Sequence, residues 1–169
     1  MNDAHYHLVV NHLPILFPLV GVIVLVIGFL TKNEVVKRTS YTIFILGAMA
    51  IFPSMSSGEG AEDFLESQKF ANFSHALIHE HEEKAEFFSW LSYFFGALSL
   101  VALWASWSRK KFAASMSYMV FVFAIVVLFF AKETGTSGGE ISHPEIRQES
   151  KPGEGESKGN SNEPIEDWD

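Results

Sequence analysis

The chain has 169 residues, 48% of them hydrophobic, with 16 Phe and no Cys, and its formal net charge is −8. This length suits one domain, and the hydrophobic content is high for a chain that also has a polar C-terminal stretch. The lack of cysteine excludes disulfides, covalent c-type haem attachment and thiolate-bound iron–sulfur clusters. The net charge says little about partners, because the acidic residues are mostly in one connection and in the C-terminal stretch.

The apolar residues are concentrated in four blocks, 8–30, 39–55, 87–107 and 113–131, and none of these contains Asp, Glu, Lys or Arg. Each block is about 17 to 25 residues long, enough for a helix to cross about 30 Å of hydrocarbon. A soluble core helix of that length would need a charged outer face. The sequence therefore predicts an all-α integral membrane protein with four transmembrane helices over about 8–30, 39–55, 85–107 and 113–131.

The charges of the connections predict the orientation of these helices. Basic residues cluster after the first and third spans, at Lys32, Lys37, Arg38, Arg109, Lys110 and Lys111. The connection 58–84 instead carries seven acidic residues against Lys69 and Lys84. Short connections rich in Lys and Arg remain in the cytoplasm. We therefore expect a multi-pass protein of a bacterial inner membrane, with both termini on the outer, periplasmic side.

The segments outside the spans divide the chain further. Pro53 and the serines and glycines after it predict the end of the second helix, and 61–73 is a candidate short interfacial helix. Ser74 can cap a helix that begins at His75 and continues through the third apolar block. Residues 1–143 are predicted to form the transmembrane domain. Residues 144–169 are too polar to form a core and are predicted to be a disordered acidic tail.

Small residues recur at spacings of seven or nearly seven in all four helices. In lipid, helices associate through close backbone approach, so such lines predict helix contacts. Seven-residue spacing favours a left-handed four-helix bundle. The lines contain Gly21 and Gly28; Ser40, Gly47 and Ser54; Ala85, Ser89, Ser92, Gly96 and Ser99; and Ser117, Ala124 and Ala131.

All seven histidines lie on the predicted outer side. We single out His12 and His81, because each lies where a polar outer segment meets an apolar span. His81 is four residues before Ala85 and shares its helical face. An imidazole facing the bundle interior can ligate haem iron, bind a metal or accept a proton from a quinol. We predict one outer site formed by His12 and His81 with help from His75 or His143; the alternatives are solvated rings or a hydrogen bond to a nearby carboxylate.

A second pair of histidines predicts a weaker metal site. His75 and His79 have the i, i+4 spacing that places two imidazoles on one helical face. Glu82, Glu83 and Glu86 could complete such a site. Acidic residues at a helix start are equally explained by their favourable interaction with the helix dipole.

Three motifs resemble an uncharacterised bacterial family of four-helix membrane domains, the domain of unknown function 2231. They are HLVVNHLPI at 7–15, HEEKA at 81–85 and TGTSGGEI at 134–141. The family opens with an HPLLVHFPI-like stretch and closes with TGxxGGxLVY. This chain departs from that pattern at Asn11 and at Ser142 and His143, so the resemblance does not define an exact role for His143. Related domains joined to c-type cytochrome modules imply redox work, with haem b held between helices.

The expected function is a redox subunit that binds haem b or interacts with quinol through the outer histidines. The first alternative is a non-enzymatic membrane partner or assembly factor that docks a periplasmic protein. A metal-binding membrane protein is the third. We expect the lipid bilayer and a periplasmic or membrane redox partner as contacts. Nothing in the sequence resembles a nucleic-acid surface, a phosphate-binding loop or nucleophilic catalysis, so catalysis by this chain alone is not expected.

Overall fold

The computed structural model describes residues 3–58, 60 and 75–143. Over these residues the chain forms no strand and five helices: α1 (Asp3–Val10), α2 (Leu13–Leu30), α3 (Glu34–Ser56), α4 (His75–Trp107) and α5 (Ala113–Ser142). Helix α2 packs on α3, α3 on α4, α4 on α5, and α5 returns to α2, which closes a four-helix bundle. The segment 61–73 and the tail 144–169, predicted above as an interfacial helix and a disordered tail, lie outside the described residues.

Four stretches are long and apolar enough to cross a membrane: His5–Leu30, Glu34–Ser56, His75–Trp107 and Ala113–Ile141. The four predicted spans therefore correspond to four helices of suitable length and composition. Only 22–39% of the most apolar window of each helix is buried inside the bundle. Most of the apolar surface therefore faces outward.

The first predicted span is interrupted near its start. Helix α1 ends at Val10, Asn11 and His12 form a turn, and α2 begins at Leu13. Pro14 explains the position of this break, because it has no N–H to donate to the carbonyl of Val10, four residues earlier. This turn separates α1 from α2, while His12 itself keeps right-handed helical dihedrals, φ −76° and ψ −23°.

The two short connections at the opposite end have the same backbone. After α2, the N–H of Asn33 donates to the Gly28 carbonyl at 3.1 Å and Lys32 has φ 53°. After α4, the N–H of Lys110 donates to the Ala105 carbonyl at 2.9 Å and Arg109 has φ 50°. Both turns are Schellman motifs in which a cation occupies the left-handed position that usually holds glycine. We call this the basic end, defined by Lys32, Arg38, Arg109 and Lys110.

The predicted small-residue lines are mostly buried between helices. Ser40 and Ser99 are fully buried, and Ala124 and Ala131 are at most 1% exposed. Gly96 lies so close to α3 that a Cβ added there would be 2.5 Å from the Cβ of Ala48. Between these contacts, Phe44 and Phe95 pack with ring centroids 4.8 Å apart. The bundle therefore uses small residues for close approach and aromatic rings to fill the space between them.

Helix α4 begins at His75 and runs through the third apolar block, as predicted. Helix α5 extends further than the predicted span, because it continues past Ala131 to Ser142. Its added turns have a buried face, with Thr134 8% and Ser137 3% exposed. Contacts with α4 therefore keep this glycine-containing segment helical.

Candidate functional site

One histidine at the start of the chain is held by the end of α3. His7 lies on α1, and its Nδ1 is 2.9 Å from Oγ of Ser57, directly after α3. The Ser57 hydroxyl donates to the carbonyl oxygen of Ser54 at 2.9 Å. Ser57 is buried and His7 is half-buried. The ring of His7 is thus fixed to the backbone of another helix through one hydroxyl group.

A second histidine is held in the same way by α5. His81 lies on α4, and its Nδ1 is 3.0 Å from Oγ of Ser137. The Ser137 hydroxyl donates to the carbonyl oxygen of Thr134 at 3.0 Å. Gly138 makes room for the ring, since a Cβ at that position would be 3.0 Å from Cε1 of His81. We call His7, His81 and their serines the histidine end of the bundle.

Where each serine hydroxyl donates to the helix carbonyl behind it, the hydrogen bonds favour Nδ1 as the protonated nitrogen of each ring. A serine hydroxyl has one hydrogen, and in Ser57 and Ser137 that hydrogen is donated to a helix carbonyl. The serine oxygen can then only accept, so Nδ1 of each histidine donates. In the neutral ring the other nitrogen, Nε2, is then the acceptor. Both rings lie at the same end of the bundle, because Ser57 follows α3 and Ser137 is in the last turns of α5.

Three of the four histidines predicted as ligands, His12, His75 and His143, are exposed. His12 is exposed, and its Nδ1 is 2.7 Å from the carbonyl oxygen of Leu8 within its own chain turn. His75 and His143 are also exposed, at the start of α4 and directly after α5. His81 is the half-buried one of the four predicted ligand residues. A site shared by His12 and His81 stays a prediction.

The predicted metal site is not completed by acidic residues of α4. His79 Nε2 is 3.5 Å from Oε1 of Glu83, and both side chains are more than 70% exposed. Within residues 3–58, 60 and 75–143, no group of three or more His, Asp or Glu side chains is arranged to hold a metal ion. His75 and His79 therefore lack a third protein ligand in the described part of the chain.

Sequence reasoning did not assign His7, Ser57 or Ser137 to the site. His7 belongs to the HLVVNHLPI motif, but its partner Ser57 is 50 positions away along the chain. Ser137 lies in TGTSGGEI, where the glycines are more conspicuous than the serine. The sequence feature that could have indicated Ser137 is its place next to Gly138. The serine offers a hydroxyl to a histidine ring, and the glycine leaves room for that ring beside the helix backbone.

A groove lies beside this site on the outer surface of α4 and α5. It has a volume of about 370 Å³. Three aromatic rings form its apolar wall, and its polar part is lined by Thr134, Lys84 and two carboxylates. The rings are Phe87, Phe129 and Phe130, and the carboxylates are Glu83 and Glu133. The Thr134 hydroxyl donates to the Lys84 carbonyl at 3.4 Å, while the Thr134 carbonyl accepts from Ser137. Thr134 therefore connects the groove to the residue that holds His81.

The fold and site together define an all-helical protein with four helices of membrane-spanning length and two serine-held histidines at one end. Comparisons with protein-family models, curated proteins and solved structures found no match to this chain. The resemblance to the four-helix family, and the haem that it implies, stay predictions.

Proposed function

We propose that this chain is a multi-pass protein of a bacterial inner membrane, with the basic end inside and the histidine end and both termini outside. The support for membrane insertion is the large outward apolar surface, including Phe52 at 72% and Leu30 at 78% exposure. Soluble monomers rarely expose an apolar surface of this extent on all sides. The support for orientation is that both basic connections lie at the same end, where Arg38 bonds to Ser106.

The seven-residue recurrence of the buried small residues supports a left-handed supercoil for this bundle. A repeat of seven is slightly shorter than two turns of a straight helix, so keeping the seam in contact requires left-handed winding. Ser40 and Gly47 on α3, and Ser92 and Ser99 on α4, are buried at this spacing.

Within that protein, we propose a redox site for haem b at the histidine end, where His7 and His81 are the residues that would hold the haem. The observation that supports it is that Nδ1 of each ring lies within hydrogen-bond distance of a serine hydroxyl, Ser57 for His7 and Ser137 for His81. Histidine ligands commonly donate the second ring N–H to a neighbouring group, which fixes the ring and increases its basicity as a ligand. Haem held there would supply one-electron transfer.

The chain's own residues prepare this site in three ways. Ser57 and Ser137 orient the two rings, and Gly138 lets the His81 ring lie beside the α5 backbone. Both rings are half-buried, so their environment is less polar than water. His12 also has Nδ1 occupied, by the Leu8 carbonyl, but its exposure and its local bond favour His7 as the partner of His81.

The test is the reduced-minus-oxidised absorption spectrum of the full chain purified from membranes. We expect Soret and α bands of low-spin haem that are lost in His7→Ala and His81→Ala. His79→Ala is the matched control, because His79 is on the same helix and remains exposed. His12→Ala separates the His7–His81 pair from the His12–His81 pair. If the haem bands are lost in His12→Ala and remain in His7→Ala, the His12–His81 pair is favoured and the proposed His7–His81 pair is contradicted.

Ser137→Ala tests whether the serine acts through the ring. Loss of the hydroxyl should change the reduction potential of the bound haem while the bands remain, because the ligand basicity changes and the ligand does not. Ser99→Ala is the control and should leave the potential unchanged, because Ser99 is also buried but lies about five turns of α4 away from His81. An unchanged potential in Ser137→Ala would contradict the positioning role.

A second candidate, quinol binding, is favoured by the groove beside Thr134. An apolar groove of this volume with a few polar groups suits a lipid-soluble ring. Organic extraction of the purified chain should then recover quinone, and Phe130→Ala should lower that recovery more than Phe52→Ala, whose ring is on the outer surface of α3. A folded chain with neither haem nor quinone would contradict both candidates and favour the non-enzymatic partner role.

A further inference from the structure

The basic end contains a groove of about 430 Å³ that has no role in the site described above. It lies where α3 and α4 meet the start of α5. Its lining residues are Glu34, Arg38, Ser106, Arg109, Lys110, Ala113 and Ala114. We propose that this groove binds the phosphate headgroup of an anionic phospholipid from the surrounding membrane. The inference rests on the membrane placement proposed above and is independent of haem.

The positive charge of the groove is only partly neutralised. Glu34 is its one carboxylate among the described residues, against the cations of Arg38, Arg109 and Lys110. Both oxygens of that carboxylate already have partners: Oε1 is 2.7 Å from Nζ of Lys37, and Oε2 accepts from the Ser106 hydroxyl at 3.2 Å. The groove therefore has an excess of positive charge whose natural complement is an anion.

Arg38 is positioned as the fixed wall of this groove. Its Nε and Nη2 donate to Oγ and to the carbonyl of Ser106, at 3.0 and 2.9 Å. These bonds hold the guanidinium in a defined plane, and its Nη1 donors are not used by the described residues. Arginine held in this way presents donors that match a phosphate.

Arg109 and Lys110 form the second wall, from the connection after α4. Arg109 has φ 50°, a conformation that costs an L-residue about 1 kcal/mol or more. Its side chain has no ion-pair or hydrogen-bond partner among the described residues. Lys110 places its ammonium 5.1 Å from the ring centroid of Trp104. The strained turn thus directs two cations to the groove without neutralising either.

The position of the groove favours lipid over a soluble anion. Trp104 and Trp107 are 54% and 71% exposed on the outer face of α4 beside it, and tryptophan is typical of the headgroup region. Arg38 lies 6.0 Å from the Trp107 ring. Ala113 and Ala114 add the first turn of α5, whose N-cap residue provides no side-chain bond. Basic pockets between spans on the cytoplasmic side bind anionic headgroups by the same chemistry.

Quenching of tryptophan fluorescence by brominated lipid tests the proposal. The full chain, with Trp90 and Trp168 changed to Phe so that Trp104 and Trp107 report, is placed in phosphatidylcholine vesicles containing brominated phosphatidylglycerol or brominated phosphatidylcholine. We expect preferential quenching by phosphatidylglycerol. Arg109→Gln and Lys110→Gln should each lower the relative binding constant about fivefold.

Two matched controls separate a site from general attraction. Lys32→Gln removes a cation from the equivalent left-handed position of the other connection, outside the groove. Lys111→Gln removes the neighbouring cation, which also does not line the groove. Both should retain the preference. An equal loss in all four variants would overturn the proposal in favour of diffuse attraction.

Two further experiments distinguish a lipid headgroup from free phosphate as the ligand, and a failure of membrane insertion from a failure of the groove to bind lipid. Inorganic phosphate added to the phosphatidylcholine vesicles that contain brominated phosphatidylglycerol should leave the preferential quenching unchanged. Loss of that quenching at millimolar phosphate would overturn a lipid-specific site. Flotation on a sucrose gradient checks insertion. A chain that does not float overturns the membrane placement and the groove's role together, whereas a floating chain with equal quenching by both lipids overturns the groove alone.

Discussion

Gly96 on α4 should not tolerate even the smallest side chain. A Cβ at Gly96 would lie 2.5 Å from the Cβ of Ala48 on α3. Neither atom can rotate away, because each is attached directly to a helix backbone. The two helices would have to separate by about 1 Å to reach ordinary contact distance. We expect Gly96→Ala to lose about 1–3 kcal/mol through overpacking and to recover about 1 kcal/mol through helix propensity.

Gly135→Ala is the matched control for this change. It adds the same methyl group to a helix interior, but its nearest neighbour is Cδ1 of Ile15 at 3.2 Å, the far end of a flexible side chain. Unfolding in mixed detergent micelles, followed by circular dichroism, should therefore show Gly96→Ala less stable than wild type. Gly135→Ala should be equal to wild type or more stable. The difference between the two variants measures the steric cost.

The reciprocal exchange provides the decisive comparison. In Gly96→Ala combined with Ala48→Gly, one methyl group again occupies the contact between α3 and α4. The double variant should be more stable than the sum of the single effects by about 1–3 kcal/mol. If Gly96→Ala is as stable as Gly135→Ala, or if the coupling is absent, then α3 and α4 do not approach this closely.

Two further predictions concern polar contacts of the bundle. Tyr41→Phe removes the buried hydroxyl that donates to Oγ of Ser117 at 2.7 Å, and should lower the free energy of unfolding by about 1 kcal/mol in the same assay. Tyr118→Phe is the control and should leave stability near that of wild type, because the Tyr118 ring is 63% exposed. Equal effects of the two substitutions would contradict a buried hydrogen bond. Asn33→Ala removes the N-cap side chain that accepts from the N–H groups of Val35 and Val36, and should lower the free energy of unfolding by about 1 kcal/mol. Asn33→Asp keeps an accepting oxygen and should retain the stability. A loss of stability in Asn33→Asp as well would show that capping is not the cause.

The four long helices and most of their buried faces could be predicted because both depend on local periodicity. Apolar blocks set the lengths, and lines of small residues set the contact faces. The start of α4 at His75 was predicted from the capping residue and the unbroken pattern after it. The end of α5 was not, because glycines argue against a helix when their tertiary contacts are unknown. Helix α4 supplies those contacts at Thr134 and Ser137.

The partners of the histidines could not be predicted from spacing. His7 and Ser57 are 50 positions apart, and His81 and Ser137 are 56 apart. No local pattern relates residues at such distances. His12 is predicted from its place where a polar segment meets an apolar span, and this place leaves its helical phase open because Pro14 follows so closely; the structure separates α1 from α2 at this point.

The choice of serine as the partner of both rings has a chemical consequence. A carboxylate beside Nδ1 would stabilise the charged imidazolium, whereas a hydroxyl that only accepts does so much less. Described carboxylates are nearby on α4, but Glu80 pairs with Lys84 at 2.6 Å and Glu83 faces His79 on the exposed side. His81 instead contacts Ser137, whose hydroxyl donates to the Thr134 carbonyl. This arrangement favours a neutral ring with Nε2 as the acceptor, which is the form that a metal or a donor hydroxyl requires.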